Sequence, residues 1–437
     1  MTPLNNPCYI KIPGDKSITH RALLLSLLTN QENCIIENYA NSLDCQTTLN
    51  CLNQLGVKFK QTPNKLIINS PFVRYMQIAS MTIDAQNSGT TLRLLTGLLA
   101  WHDTQFIFQG DNSLNKRPMH RLCEPLKLMG CDFEYLDQSG YPPFKIKGGN
   151  LKGIKYQIDV ASAQVQSALL LAGLNARGHT IVSVPNLVRT HTSKMFQALN
   201  IYQRNFNSQI CGVKYLEKPI MPYNMSVPGD LSSAAYFLVL AAITPGLHLI
   251  LNNININPGR TLITNALIKM EANIKLINHK IINFEEVCDI EIKGGARLKP
   301  FNIDYKNIAT GIDEIAIIAL LMAMADGISY VKDANELMYK ESNRLALIIK
   351  NFKNCGININ AYPDGFSIKG SPQILGDSLW ETHNDHRLAM TGLIASCISK
   401  RPIKVDNIKC IDISYPQFLM TLKQVGNTYS FDNEIFD

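Results

Sequence analysis

The sequence predicts an α/β protein of two domains, each made of three similar units. A repeat is the first observation behind that prediction: six times an apolar helical run stops at glycine or a substitute and resumes as a short strand-like segment. The runs are CLNQLGVKF at Gly56, PLKLMGCDFEY at Gly130, MFQALNIYQ at Asn200, ALIKMEANIKLI at Glu271, IIKNFKNCGININ at Gly356 and FLMTLKQVGNTY at Gly426, with stops 74, 70, 71, 85 and 70 residues apart. The second observation is that another apolar helix precedes each run: RALLLSLL, LRLLTGLLA, SALLLAGL, AAYFLVLAAI, IAIIALLMAMA and RLAMTGLIAS. The third is that β-branched segments such as YIKI, KLIINS, FIFQG, FKIKG, HLILNNI, DIEIKG and FSIKG fill the intervals.

Glycine suits these stops because the residue after a helix often takes the left-handed conformation, which is free for Gly and mild for Asn. Glu271 departs from that rule. Six units exceed what one hydrophobic core supports, about 250 to 300 residues, so they divide most simply into two groups of three with a boundary near Val227–Asp230.

The 437 residues are 46% hydrophobic and 18% charged, with a mean hydropathy of -0.02, which excludes a disordered chain. The longest apolar stretch, Ile315 to Ala325, is shorter than the roughly 20 residues that span a bilayer, so a packed helix is expected there. The N-terminal MTPLNNPCYIKIPGDKS has neither the basic nor the apolar region of a signal peptide, which points to the cytoplasm. Eleven scattered cysteines without CxxC pairs read as buried thiols of a reducing compartment.

What precedes the first helix of each unit is informative: GDKSITHR at 14–21, NSGTTLR at 87–93, ASAQ at 161–164, PGDLSS at 228–233, GIDE at 311–314 and NDHR at 384–387. Their Ser, Thr, Asp and Asn residues cap helix N-termini. Capping does not account for Lys16, Arg21, Arg93 and Arg387, whose charge opposes the positive end of the helix dipole. KRPMHR adds Arg117, RTHTSK adds Arg189, and KESNR adds Lys340, Glu341 and Arg344. Basic side chains beside exposed N–H groups are what phosphate or carboxylate binding requires, and Arg favours two-pronged contact. Equivalent ends of stacked repeats share a face, so a site for a small polyanion between the domains is expected.

The net charge of +7 is mild, and the basic residues are separated by apolar helix rather than interleaved with aromatics, which argues against nucleic acid. Asp313, Glu314, Glu341 and Asp385 stand among cations that favour their ionised forms, as a base working near neutrality needs, although structural salt bridges would give the same pattern. His383 and His386 have metal-like spacing but no third ligand nearby, and NSGTTLR lacks the spacing of a nucleotide-binding loop.

PGDKSITHRALLL, NSGTTLRLL, the run from Asp111 through SLNKRPM to Gly130, ASAQVQSALLLAGL, VPGDLSSAAYFL, IDE, KESNRL, DHRLAM and SYPQF occur in that order. This series resembles the EPSP synthase family, the 3-phosphoshikimate 1-carboxyvinyltransferases, over Pro13 to Gly426. The resemblance implies a two-domain inside-out α/β barrel of six βαβαββ repeats, three per domain. Domain I would comprise 1–15 plus 231–437, domain II the inserted 16–230, with a hinge near Gly14 and Asp230.

The implied reaction moves the enolpyruvyl group of phosphoenolpyruvate to the 5-hydroxyl of shikimate 3-phosphate, on the route to chorismate and aromatic amino acids. Matching positions make Lys16, Ser17, Arg21, Ser162, Gln164, Arg189, Asp313 and Lys340 the contacts of shikimate 3-phosphate. Lys16, Gly89, Arg117, Gln164, Arg344 and Arg387 would meet phosphoenolpyruvate. Asp313 is the candidate base at the hydroxyl, Glu341 the candidate for proton exchange at the methylene carbon, and Lys16 an aid to phosphate departure. No cofactor or metal, no nucleic acid or membrane, and a monomer are expected.

Departures from the family pattern are Gln86, Gln166, Val188, Thr190, Ser193, Ala316, Asn343 and Ile413, which bear on affinity. Gly89 matches the glycine at which the family admits glyphosate. The sister enolpyruvyl transferase acting on UDP-N-acetylglucosamine would share the fold, but GDKSITHR, ASAQ and KESNR match the shikimate enzyme. A non-catalytic anion-binding protein is the remaining alternative, against which Asp313, Glu341 and Lys16 stand together.

Overall fold

The computed structural model describes residues 7–207, 209–371 and 373–428. Contacts divide the chain into two compact units. The first holds the chain up to Pro13, Pro228–Lys280 and the chain from Glu286 onward; the second holds Gly14–Val227 and Ile281–Glu285. The sheets are small and repeat one pattern. In the second unit, Met81–Asp84 runs parallel to Gln105–Gln109, followed by the antiparallel Phe144–Lys147 and Asp132–Tyr135. Lys155–Gln157, His179–Ser183, Ile210–Lys214 and Gln203–Asn207 repeat that order.

The remaining sheet of this unit takes its leading strand from far along the chain: Asn224–Ser226 lies parallel to Asn33–Glu37, which precedes Lys65–Asn69 and Lys58–Gln61 in the sheet. The first unit has the reciprocal arrangement. Cys8–Ile10 lies parallel to His248–Asn255, which neighbours Glu285–Lys293 and then Asn273–Ile282. Its second sheet is Asn302–Ile303, Ile328–Val331, Gly365–Lys369 and Asn358–Tyr362. Ser378–Trp380 and Ile403–Val405 form a two-stranded sheet among the described residues. Gly14 stands where the chain passes from one unit to the other, and a Cβ there would lie 1.8 Å from the Asn38 carbonyl oxygen, so no side chain fits.

Each four-stranded sheet is a βαβαββ unit read in space, the two-stranded sheet with the helices His386–Ile398 and Phe418–Thr428 shows the βαβα part of one among the described residues, and the first helix of every unit is buried. Lys16–Leu25, Gly89–Leu99 and Ala163–Gly173 serve the second unit, with the Gly89 helix packed against both others. Leu231–Ile243, Ile315–Ala323 and His386–Ile398 serve the first and pack on one another. Every residue of Leu231–Ile243 and of Ile315–Ala323 is buried, which is why these helices are apolar all round rather than striped. The second helices, such as Leu43–Gln54 and Arg344–Asn354, bury one face only.

Five of the six expected helix stops are left-handed turns: Gly56 (φ 87°), Gly130 (105°), Asn200 (54°), Glu271 (61°) and Gly356 (82°). The sixth is corrected. Gly426 lies inside the helix Phe418–Thr428, where a glycine weakens a helix by about 1 kcal/mol without ending it. The strand segment read after it reaches Tyr429, outside the described residues. Ten of the eleven cysteines are buried, Cys397 is half-buried, and none forms a disulfide. Among the described residues no helix is long and apolar enough to cross a membrane.

Candidate active site

In the second unit the three buried helices begin with side-chain caps. Asp15 Oδ1 accepts from Ile18 N at 2.9 Å, and the Ser88 and Ser162 hydroxyls accept from Thr91 N and Val165 N at 3.3 Å. Cationic side chains cluster at these starts. Lys16 Nζ pairs with Asp44 Oδ2 at 2.8 Å. Arg21, 4% exposed, donates through Nε to Thr192 Oγ1 (2.7 Å), through Nη1 to the Ser17 carbonyl (2.9 Å) and through Nη2 to Ser167 Oγ (2.8 Å). Arg189 Nη1 donates to Ser17 Oγ at 3.5 Å. Lys16, Ser17, Arg21 and Arg189 are thus one group, tied through Ser167 to the helix that Ser162 caps.

Gln164 joins the next helix start. Its Oε1 accepts from Arg93 Nη1 at 2.9 Å and its Nε2 donates to Thr90 Oγ1 at 2.8 Å. Arg117 Nη2 donates to Asn87 Oδ1 at 3.3 Å, and Asn87 donates to Asp111 Oδ2 at 2.8 Å. Gly89 lies between these guanidinium groups: a Cβ on it would stand 2.7 Å from Arg93 Nη1 and 3.3 Å from Arg117 Nη1. Beneath the two starts runs a buried chain in which His20 Nδ1, Thr48 Oγ1, Thr91 Oγ1 and Ser88 Oγ meet in succession at 2.7 Å. Burial pushes the His20 imidazole well below its ordinary pKa, with Lys16 and Arg21 adding to the effect, so the ring is neutral.

The first unit collects the other predicted residues in a dense ionic cluster. Asp313 Oδ1 accepts from Lys340 Nζ at 3.1 Å and Arg344 Nη1 at 3.4 Å. Arg344 Nη2 pairs with Glu341 Oε2 at 2.5 Å. Arg344 is 1% exposed and forks onto Asp385, Nε to Oδ2 at 2.7 Å and Nη2 to Oδ1 at 3.2 Å. Asp385 also caps the helix His386–Ile398 by accepting from Arg387 N at 3.0 Å, and takes the Ser342 hydroxyl at 3.0 Å. Arg387 Nη1 reaches Glu314 Oε1 at 3.4 Å, and its Nη2 stands 4.0 Å from Asp313 Oδ2. Burial acts against both arginine charges, but Asp385 and Glu341 around Arg344, and Asp313 foremost around Arg387, reverse the balance and hold both pKa values above the ordinary guanidinium value.

Several of these residues escape sequence reasoning. Asp44 pairs with Lys16 from outside every motif, whereas Ser167 and Thr192, which hold Arg21, lie inside ASAQVQSALLLAGL and RTHTSK with nothing local to mark them as its partners. Asn343 departs from the family pattern yet caps its helix, accepting from Ala346 N at 3.1 Å, a task Asn performs as well as Asp. His383 and His386 do not act together: His383 is exposed beside Glu381, whereas His386 is buried. Among the described residues no three His, Cys, Asp or Glu side chains group as metal ligands.

Repeated βαβαββ units around buried helices whose starts are crowded with guanidinium, ammonium and carboxylate groups define an α/β repeat protein. The family model described as EPSP synthase (3-phosphoshikimate 1-carboxyvinyltransferase) matches residues 7–422, and the chain belongs to that family. It is 40% identical over 430 residues to the 3-phosphoshikimate 1-carboxyvinyltransferase of Petrotoga mobilis, covering 97% of this chain and 98% of the relative. It is 36% identical to that of Alkaliphilus oremlandii, covering 95% and 96%. A solved EPSP synthase from Acinetobacter baumannii superposes with a TM-score of 0.84 at 32% identity, covering 96% of this chain and 95% of that one.

Proposed function

We propose that the chain transfers the enolpyruvyl group of phosphoenolpyruvate to the 5-hydroxyl of shikimate 3-phosphate, releasing inorganic phosphate. The observation that carries this reading is the cluster of Asp313, Lys340, Glu341 and Arg344, two carboxylates held among cations within one unit. A carboxylate so placed accepts a proton while its neighbours stabilise negative charge nearby. Asp313 takes the proton of the attacking hydroxyl as its oxygen bonds to the central carbon of phosphoenolpyruvate. Glu341 delivers a proton to the methylene carbon, giving a tetrahedral intermediate, and removes one from the resulting methyl group as the carbon–phosphate oxygen bond breaks. Lys16 stabilises the departing phosphate, which takes up the proton held by Asp313, so that both carboxyl groups return to their starting states.

Shikimate 3-phosphate is assigned to Lys16, Ser17, Arg21, Ser162, Gln164, Arg189, Asp313 and Lys340, and phosphoenolpyruvate to Lys16, Gly89, Arg117, Gln164, Arg344 and Arg387. Support comes from the hydrogen bonds joining Ser17 to Arg21 and Arg189, and Gln164 to Arg93. The protein acts as a cytoplasmic monomer without metal, cofactor, nucleic acid or membrane partner, with 16–230 as the inserted domain and a hinge near Gly14 and Asp230.

Phosphate release tests the reading. It requires both substrates together, does not occur with UDP-N-acetylglucosamine in place of shikimate 3-phosphate, and falls about 100-fold or more in folded Asp313→Ala and Glu341→Gln proteins. Full activity in both variants would reject the roles assigned to these carboxylates.

A further inference from the structure

Arg387 carries its charge in the first turn of a helix, where the dipole disfavours a cation, and is 7% exposed. Such a group needs an anion. The carboxylate one would choose from sequence, Asp385, is already engaged by both prongs of Arg344 and by the cap it makes to Arg387 N. The nearest carboxylate to the Arg387 guanidinium is instead Glu314, at 3.4 Å, ahead of Asp313 at 4.0 Å.

Glu314 is itself held rigidly. It is 1% exposed at the N-terminal end of the helix Ile315–Ala323, where the dipole favours a carboxylate. The Ser232 hydroxyl donates to the same Oε1 that Arg387 reaches. Ser232 in turn accepts from Arg260 Nη2, which also pairs with Asp230 Oδ1 at 2.9 Å. The three buried helices of the unit are therefore joined at their starts by an ordered series, Arg260 and Asp230, Ser232, Glu314, Arg387.

We infer that Glu314 is a positioning residue: it fixes the Arg387 guanidinium at the phosphoenolpyruvate site, and Ser232 fixes Glu314. The inference rests on the reading that Arg387 contacts phosphoenolpyruvate. Its chemical point is a division of labour between neighbouring carboxylates. Asp313 gains and loses a proton in each turnover, so its attraction for Arg387 varies through the cycle. Glu314 takes no part in proton transfer and faces Arg387 through the same oxygen throughout, so the arginine keeps its place when Asp313 is protonated.

Steady-state kinetics of Glu314→Gln, Ser232→Ala and Arg387→Gln test this, alongside calorimetric binding of shikimate 3-phosphate and the Tm of each protein. Glu314→Gln keeps the shape of the side chain and removes its charge. The KM for phosphoenolpyruvate should rise about tenfold or more with kcat changed far less, and the Kd of shikimate 3-phosphate should stay within about twofold. Ser232→Ala, which leaves the Glu314 charge in place, should raise the same KM by a smaller factor and gives a readout should Glu314→Gln fail to fold. An unchanged KM for phosphoenolpyruvate in both, or weakening of both substrates in step with a lowered Tm, overturns the positioning role. If Arg387→Gln leaves that KM unchanged, the underlying assignment of Arg387 is what fails; if it raises the KM while Glu314→Gln does not, the positioning role fails alone.

Discussion

Replacing Gly89 by alanine tests how closely the second unit's cationic groups are packed. Gly89 opens its helix, and the added Cβ would stand 2.7 Å from Arg93 Nη1, so that nitrogen must retreat by about 0.7 Å to reach the 3.4 Å where ordinary contacts begin. The atom is the far end of a flexible side chain, so folding tolerates the change, and alanine in a helix is favoured over glycine by about 1 kcal/mol. The retreat acts instead on the 2.9 Å bond from Arg93 Nη1 to Gln164 Oε1. A hydrogen bond with one charged partner contributes about 1.5–3 kcal/mol, so losing it and disturbing Arg117 at 3.3 Å should weaken phosphoenolpyruvate about 10- to 100-fold. Glyphosate inhibition should weaken by a still larger factor, because the methyl group enters the space at which the family admits it. The assay is phosphate release at varied phosphoenolpyruvate, with and without glyphosate, and a Tm measurement. An unchanged KM, or equal glyphosate inhibition of parent and variant, refutes the reasoning.

Three further expectations concern the fold. Burial keeps His20, and to a lesser degree His102, below the ordinary imidazole value of 6.5, so as pH falls through that value the unfolded chain takes up protons that the native state refuses. Stability is full above pH 6.5 and declines toward pH 5 by up to about 1.4 kcal/mol per pH unit for each such group; chemical denaturation should give a shallower acid slope for His20→Gln, and an identical slope would contradict the assignment. Burial raises the Cys45, Cys51, Cys123 and Cys131 thiols to about 12, so at pH 8 a thiol reagent should leave them unmodified in the native protein and label all eleven cysteines in denaturant, rapid native labelling being the adverse result. Glu271→Gly relieves a left-handed residue at φ 61° for the loss of an exposed ion pair to Lys299, so Tm should rise by an amount equivalent to about 0.5–1 kcal/mol, and a lower Tm would count against strain at this turn.

The repeat was legible because it follows from helix periodicity and from residues that end helices, both local properties. Glu271 shows that the left-handed stop belongs to the architecture rather than to glycine, since the turn forms there with an unfavourable residue. Gly426 shows the converse, a glycine of the right spacing carried within a helix. The carboxylates of the site were readable where they fell inside a motif, as Glu314 does in GIDE and Asp385 in NDHR, whereas Asp44, the partner of Lys16, falls in none. Arg21 takes Thr192 and Ser167 from 171 and 146 residues away, and Glu314 takes Ser232 from 82 residues away. All three partners lie inside motifs, RTHTSK, ASAQVQSALLLAGL and PGDLSS, but no local pattern pairs them with the residues they hold, because what brings them together is the packing of successive helix starts.

A crystal structure with shikimate 3-phosphate and an unreactive phosphoenolpyruvate analogue bound tests the account most directly. It should show the shikimate phosphate hydrogen-bonded within the Lys16, Ser17, Arg21 and Arg189 group, the 5-hydroxyl at Asp313, and the analogue's phosphate and carboxylate on Arg117, Arg344 and Arg387. Both ligands seated away from these side chains, at full occupancy, would contradict it.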